Sequence, residues 1–335
     1  MPEIFHCFSA SLLVPTTPIF NRAVTRQQRN NIALFENGEE CEYLKDEVAR
    51  RLIDRLEDIE RAFPLVLDLG CSSGHLYKHL SVDDGLGGIK KLVQCDSAEK
   101  LLHRDDLEMN TRFKCSTRLV VDEDFLPFPS RQFDLVMSSL SLHWVNDLES
   151  TFRHVLDTLK PDGAFRWYGV WRRLIARAAG SDCCFNWTKT FILADQERQG
   201  GNSSLISPFM NIADAGNLLS TTGFHLCTGA SDGVPAQTLI TLTLLCGHSG
   251  HGQYPVNHPN AFVLMEILKV MGEFNAINSR RAVTRDSLLA TASVYQSMYG
   301  LPDGTVPATF PVIFFIRLSP YHSHQKPLRR GSAQD

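Results

Sequence analysis

Leu65-Val66-Leu67-Asp68-Leu69-Gly70-Cys71-Ser72-Ser73-Gly74 decides the architecture of this chain. Leu65–Leu69 is short and apolar apart from one acid, the pattern of a strand buried on both faces of a parallel sheet. A glycine-containing turn follows, then a short helical stretch, His75–Leu80. Strand, glycine turn and helix let a ligand approach the backbone closely at the carboxyl edge of such a sheet. The same residues also suit a tight turn with no ligand. Asp68, near the strand end, favours the ligand, because a carboxylate there can accept hydrogen bonds from a cationic amino group.

Outward from this turn the pattern repeats. Lys91–Cys95 reads as a second strand ending at Asp96, an acid about twenty residues past the glycine turn, where a ribose diol would be held. A third strand, Arg118–Val121, runs into Asp122-Glu123-Asp124-Phe125-Leu126-Pro127-Phe128. Asp122 is placed to bond an adenine amino group, with Phe125 or Leu126 over the ring. A solvated acidic loop is the other reading. Phe133–Ser139 is a fourth strand, expected to continue through Leu140–Trp144. Asn146 or Asp147 then caps a helix whose apolar face is Leu148, Phe152, Val155, Leu156 and Leu159. Pro161 and Gly163 are expected to stop it. Alternating strands and helices predict an α/β fold built on a doubly wound parallel sheet.

Upstream, Leu44, Val48, Leu52, Leu56 and Ile59 recur at helical spacing among charges, an amphipathic helix leading into the core. Residues 1–35 differ: one acid, Glu3, stands against Arg22, Arg26 and Arg29, with Ser9, Ser11, Thr16 and Thr17. This suits a transit segment or a plain leader. Of 335 residues 43% are apolar, enough for a large core, and a net charge of -4 argues against a protein that coats nucleic acid. No apolar run reaches the roughly 20 residues that span a bilayer. Nine cysteines without a CxxC pair suit free thiols in a reducing compartment.

DLGCSSG, Asp96, DEDFLPF, FDLVMSSLSLHW and LKPDG together resemble a class I S-adenosylmethionine-dependent methyltransferase, a Rossmann-like fold. EYLKDEVARRLIDRLEDIERAFPLVLDLGC, SSLSLHWVNDL, ISPF, MGE and DGTVPATF resemble, more closely, the mitochondrial complex I assembly factor 5 family, whose members act as arginine hydroxylases. The likeness runs from about Ile19 to about Ala333. A more distant relative is the malonyl-carrier-protein O-methyltransferase of the biotin pathway.

The resemblance implies S-adenosyl-L-methionine as cofactor. It places Asp68, Gly70 and Gly74 around the methionine part, Asp96 at the ribose and Asp122 at the adenine, with Ser138 to Leu140 beneath the sulfonium. It implies a core over 36–165 and a helical C-terminal elaboration with a closing strand over 193–320. The location implied is the mitochondrial matrix, peripheral to the inner membrane. The partners implied are a complex I subunit, as protein substrate, and other assembly factors.

Departures from the family pattern are local. Ser72 stands where the family has a second glycine of the turn. Residues 166–192 replace an apolar strand and a Gly-Gly-x-Thr-Leu stretch, and place Arg166 in what would be a central strand. Residues 227–252 replace a short connection. Each stretch is a lineage-specific loop or a misjoined exon. Beyond them, Phe262, Met265, Leu268 and Met271 share one helical face, and Leu288, Ala292, Tyr295 and Tyr299 another, both read as core. Phe310–Ile316 reads as the closing strand and 321–335 as a tail.

For catalysis, His143 past the fourth strand is the candidate base or substrate contact, against a packed structural histidine. His103-Arg104-Asp105 is the one H-x-D that could suggest iron, but residues two apart on a helix do not share a face, so no metal ligands are assigned. Three functions fit: a modifying enzyme of complex I assembly that binds S-adenosylmethionine and hydroxylates an arginine; an O-methyltransferase of a small or carrier-bound acid; and a catalytically silent assembly scaffold.

Overall fold

The computed structural model describes residues 18–35, 38–57, 61–80, 88–105, 116–170, 183–200, 212–224, 253–272, 276, 278 and 283–320. The ISPF motif, the stretch 227–252 and the tail 321–335 lie outside them.

Seven strands form one sheet in the order β3-β2-β1-β4-β5-β7-β6. They are β1 (Leu65–Leu69), β2 (Lys91–Asp96), β3 (Ser116–Val120), β4 (Phe133–Ser139), β5 (Leu159–Val170), β6 (Gln253–His258) and β7 (Val306–Leu318). β1 to β5 are parallel; β7 runs antiparallel between β5 and β6. Because the order reverses beside β1, the carboxyl ends of β1 and β4 border the crevice where ligands of open α/β sheets bind.

Side-chain alternation divides the core between the two faces. Val66, Leu135, Met137, Ala164 and Tyr168 pack under α2 (Tyr43–Glu57), α8 (Ala261–Val270) and α9 (Arg285–Tyr299). Leu67, Leu69, Val136, Phe165 and Trp167 pack under α5 (Leu148–Thr158) and α7 (Ile212–Thr221). Helices on both faces confirm the doubly wound α/β class. The remaining helices are α1 (Arg22–Ile32), α3 (His75–His79), α4 (Glu99–Leu102) and α6 (Cys183–Gln199).

α2 forms as its spacing dictates: Leu44, Val48, Leu52 and Leu56 are buried, while Arg50 and Arg51 pair outward with Glu47 and Asp54. The two capping candidates divide the work. Asp147 caps α5, its carboxylate accepting from Ser150 N at 3.0 Å; Asn146 accepts from Phe20 N at 2.8 Å and anchors the chain that precedes α1. Of the methionine-stripe face, Met265 and Met271 are buried and Phe262 is exposed, because Ala261 and Leu264 turn inward in its place.

Four expectations need correction. The segment 18–35, grouped with a leader, contains an ordered helix: Asn21 caps α1, and Asn21 N reaches Ala276 O at 2.7 Å. The fourth strand ends at Ser139 instead of running to Trp144, because Leu140 takes a left-handed φ of 51° and turns the chain into a short 3-10 turn, Leu142–Trp144. Leu159, read as the last residue of the helix's apolar face, lies in a strand instead: α5 ends at Thr158, ahead of Pro161 and Gly163 as expected. β5 starts at Leu159, and the register jumps from Leu159 opposite Phe133 to Ala164 opposite Leu135. The bulge so formed holds Asp162 at φ 66°, pinned by Arg61, whose Nη1 donates to the Asp162 carbonyl at 2.6 Å and its carboxylate at 2.9 Å. Lastly, the stretch beginning at 166 opens as regular strand. Arg166 to Tyr168 stay in register with Met137 to Ser139, and Arg166 is buried under α2, donating to Leu52 O at 3.3 Å.

Candidate functional site

A narrow cleft opens at the carboxyl ends of β1 and β4, where Asp68, Gly70, Ser139 and Leu140 meet Lys45, His75 and Arg29. Its floor is the turn after β1. Gly70 (φ 73°) and Gly74 (φ 96°) are left-handed, and a Cβ on Gly70 would fall 2.0 Å from Ser141 Oγ. Ser72 is left-handed too, at φ 57°, which explains why a glycine suits this position better. Its backbone N–H donates to Asp96 Oδ2 at 2.8 Å, so the turn is tied to the end of β2.

Asp68 faces this cleft fully buried, and neither carboxylate oxygen makes a hydrogen bond of good geometry among the described residues. Burial, reinforced by the charge of Asp96 and opposed by the Gln94 amide, pushes its carboxyl up to about 8. A buried carboxylate left short of donors beside an open space is a site for a cationic donor.

Lys45 and His75 complete the near wall. Lys45 Nζ stands 3.4 Å from Ser72 Oγ and 3.5 Å from Glu42 Oε1. His75 Nδ1 meets Asp46 Oδ1 at 2.5 Å, and its Nε2 lies 3.4 Å from Ser73 Oγ and 3.6 Å from Glu42. Burial would raise the Glu42 carboxyl; the His75 hydrogen bond, Lys45 and Arg104 outweigh it and hold it far below the carboxylate range.

Asp96 and Asp122 lie on the far side, behind two arginines of α1. Asp96 is fully buried; its Oδ1 accepts from Ala98 N at 2.8 Å, and its Oδ2 accepts from Arg29 Nη2 as well as from Ser72 N. Burial raises the Asp96 carboxyl more than Arg29 lowers it. Asp122 Oδ1 accepts from Arg22 Nη2 at 2.6 Å. Between them Glu123, wholly buried, is bonded by Arg22, by Arg29 Nη1 at 3.2 Å and by Ser141 Oγ at 2.7 Å. Burial would raise its carboxyl, but the two arginines bring it down to about 2.

The structure thus gathers Asp68, Gly70 and Leu140 at the cleft, with Ser139 beside them. Gly74 caps α3 at the edge of the turn. Ser138 is fully buried in β4 with its Oγ unbonded among the described residues, and does not line the cleft. Leu126 is buried and Phe125 exposed, and neither lines it. His143 also misses it: the 3-10 turn that follows Leu140 brings Trp144 to the wall and leaves His143 half-buried against the Trp144 ring, centroids 5.4 Å apart. Asp105 is held by Arg104 and Lys78, so the H-x-D pair is part of an ion-pair network. Among the described residues no three His, Cys, Asp or Glu side chains converge as metal ligands.

Sequence reading missed Glu123, His75, Lys45 and the two arginines. Glu123 is one of three consecutive acids, and only the inward turn after β3 singles it out. His75 carried a signal, since it directly follows Gly74 at the start of a helix.

A family model described as a methyltransferase domain matches residues 67–166. The arginine-hydroxylase NDUFAF5, mitochondrial, of Rattus norvegicus is 38% identical over 316 residues, spanning 94% of this chain and 81% of the relative. The protein of that name from Dictyostelium discoideum is 34% identical, spanning 94% of this chain and 69% of its own length. A malonyl-[acyl-carrier protein] O-methyltransferase of Methylovorus sp. is 25% identical, with 81% and 80% spanned. The strand order, the glycine turn below Asp68 and a likeness of this extent make the chain a methyltransferase-fold enzyme, and it belongs to the arginine-hydroxylase NDUFAF5 family.

Proposed function

We propose that the chain binds S-adenosyl-L-methionine in this cleft and, in mitochondria, hydroxylates an arginine of a complex I subunit during assembly of that complex. The observation that carries the cofactor reading is the buried Asp68 carboxylate, short of donors beside the left-handed turn. An α-ammonium supplies the missing donors and charge. Asp68 would hold that group, Gly70 and Gly74 would let the methionine part approach, Asp96 would take the ribose and Asp122 the adenine. When bound, the cofactor presents an electrophilic sulfonium, and the protein's part is to orient it and exclude water.

The arginine reading rests on the relatives, which are named as mitochondrial arginine-hydroxylases and match over most of this chain. The O-methyltransferase reading has only the weaker likeness. No helix among the described residues is long and apolar enough to cross a membrane.

Mass spectrometry of complex I subunits from cells lacking the chain tests this reading. One arginine should lose an oxygen atom's mass and regain it with the wild-type chain but not with Asp68→Asn. A methylene difference on any subunit or carrier would select methyl transfer instead. Unchanged subunits, with assembly restored by both chains, would select the scaffold.

A further inference from the structure

Arg29 lines the cleft, whereas the carboxylates expected to hold adenosine do not: Asp96 is bonded to Arg29 and Asp122 to Arg22. A ribose diol presents two O–H donors to a carboxylate. Asp96 Oδ2 already accepts two donors, the Ser72 N–H and Arg29 Nη2, which uses both of its lone pairs. Oδ1 takes the Ala98 N–H. Arg29 and a diol therefore compete for one oxygen. Arg29 keeps a second partner, Glu123, which Arg22 shares, so the guanidinium can release Asp96 without being left unpaired.

The helix that carries Arg29 is fastened unequally. Its leading end is held by the main-chain bonds Asn21 N to Ala276 O (2.7 Å) and Asn278 N to Ile19 O (2.8 Å), and by Phe20 set edge-on against Trp144 with centroids 5.2 Å apart. Its far end is held by side chains: Ile32 against Ala98 and Leu101, and Asn30 Oδ1 accepting from Lys100 N. Among the described residues the far end makes no main-chain hydrogen bond to another element, so the two ends differ in how firmly they are fixed.

We propose that α1 is a self-competing lid: Arg29 occupies Asp96 in the closed chain, and the nucleoside diol of the cofactor takes over that oxygen as the far end of α1 lifts. The lid rests on the cofactor reading given above.

The full chain is titrated calorimetrically with S-adenosylmethionine and, separately, S-adenosylhomocysteine, with deuterium uptake over residues 22–32 followed free and saturated. Arg29→Gln should bind about tenfold tighter than wild type, because the competing guanidinium charge is gone and the shorter amide replaces it. Wild-type uptake over α1 should rise on saturation. Tight wild-type binding with falling uptake overturns the lid and leaves the cofactor site standing, since α1 would then be a fixed cover. So does unchanged or weaker binding by a folded Arg29→Gln. If Arg29→Gln fails to fold, the wild-type uptake decides alone. No binding of either compound by folded wild type overturns the cofactor reading and the lid with it.

Discussion

Ser72 holds a left-handed φ of 57° that L-residues adopt at a cost of roughly 1–2 kcal/mol. Glycine removes that strain, offset by its larger entropy when unfolded, about 0.5–1 kcal/mol. Ser72→Gly is therefore expected to stabilise the chain by ~0.5–1 kcal/mol in urea unfolding; a destabilised variant would contradict the strain argument. Position alone made Asp68 and Asp96 legible, because each is an acid near the end of a strand and close to a glycine turn. Arg29 and Glu123 were not legible. Their meaning depends on a contact across 94 residues, and an arginine-rich opening segment without apolar periodicity gives no local sign that it will fold over a site.

At the scale of elements, one cap can be tested without touching the cleft. Asp147→Ala leaves the first-turn N–H of Ser150 without its acceptor and should lower stability by about 1 kcal/mol, read as a lower urea midpoint with unchanged slope. Asn146→Ala should leave α5 intact and instead raise deuterium uptake at Phe20, whose N–H it accepts. The strands and α2 were readable because burial on both sheet faces and a helical stripe each leave a plain periodicity. The start of β5 was not. Lys160-Pro161-Asp162-Gly163 has the composition of a helix stop, and only Arg61, reaching across from the segment before β1, turns it into a bulge. Arg166 likewise reads as an error in a central strand until the Leu52 carbonyl is placed above it.

Over the whole molecule the buried carboxylates divide into two groups of opposite sign. Glu123, lowered from 4.5 to about 2, stabilises the fold above its unfolded value, and that contribution is lost as pH falls through this window. Glu42, Asp46 and Asp105 are lowered as well and add to the acid limb. Asp68, raised from 3.8 to about 8, acts the other way: the folded chain holds a proton that the unfolded chain has released, so stability falls as pH rises through that range. Thermal melts should peak in mildly acid buffer and decline toward pH 8, and Asp68→Asn should flatten the decline while abolishing cofactor binding. A wild-type profile rising steadily from pH 5 to 8 would contradict the buried charge. Alternation made the overall α/β plan legible, whereas the charge balance needed coordinates, because it depends on which acids end up dry. The antiparallel seam has a separate consequence, in time. β5 gains its second neighbour only from residues 306–318, close to the end of the described chain. During synthesis a central strand therefore waits with one edge bare for more than a third of the polypeptide to emerge, and pairing over such sequence distance is slow and exposed to aggregation. The half-made chain exposes that edge until β7 arrives, and truncation anywhere before Val306 leaves β5 without its antiparallel neighbour.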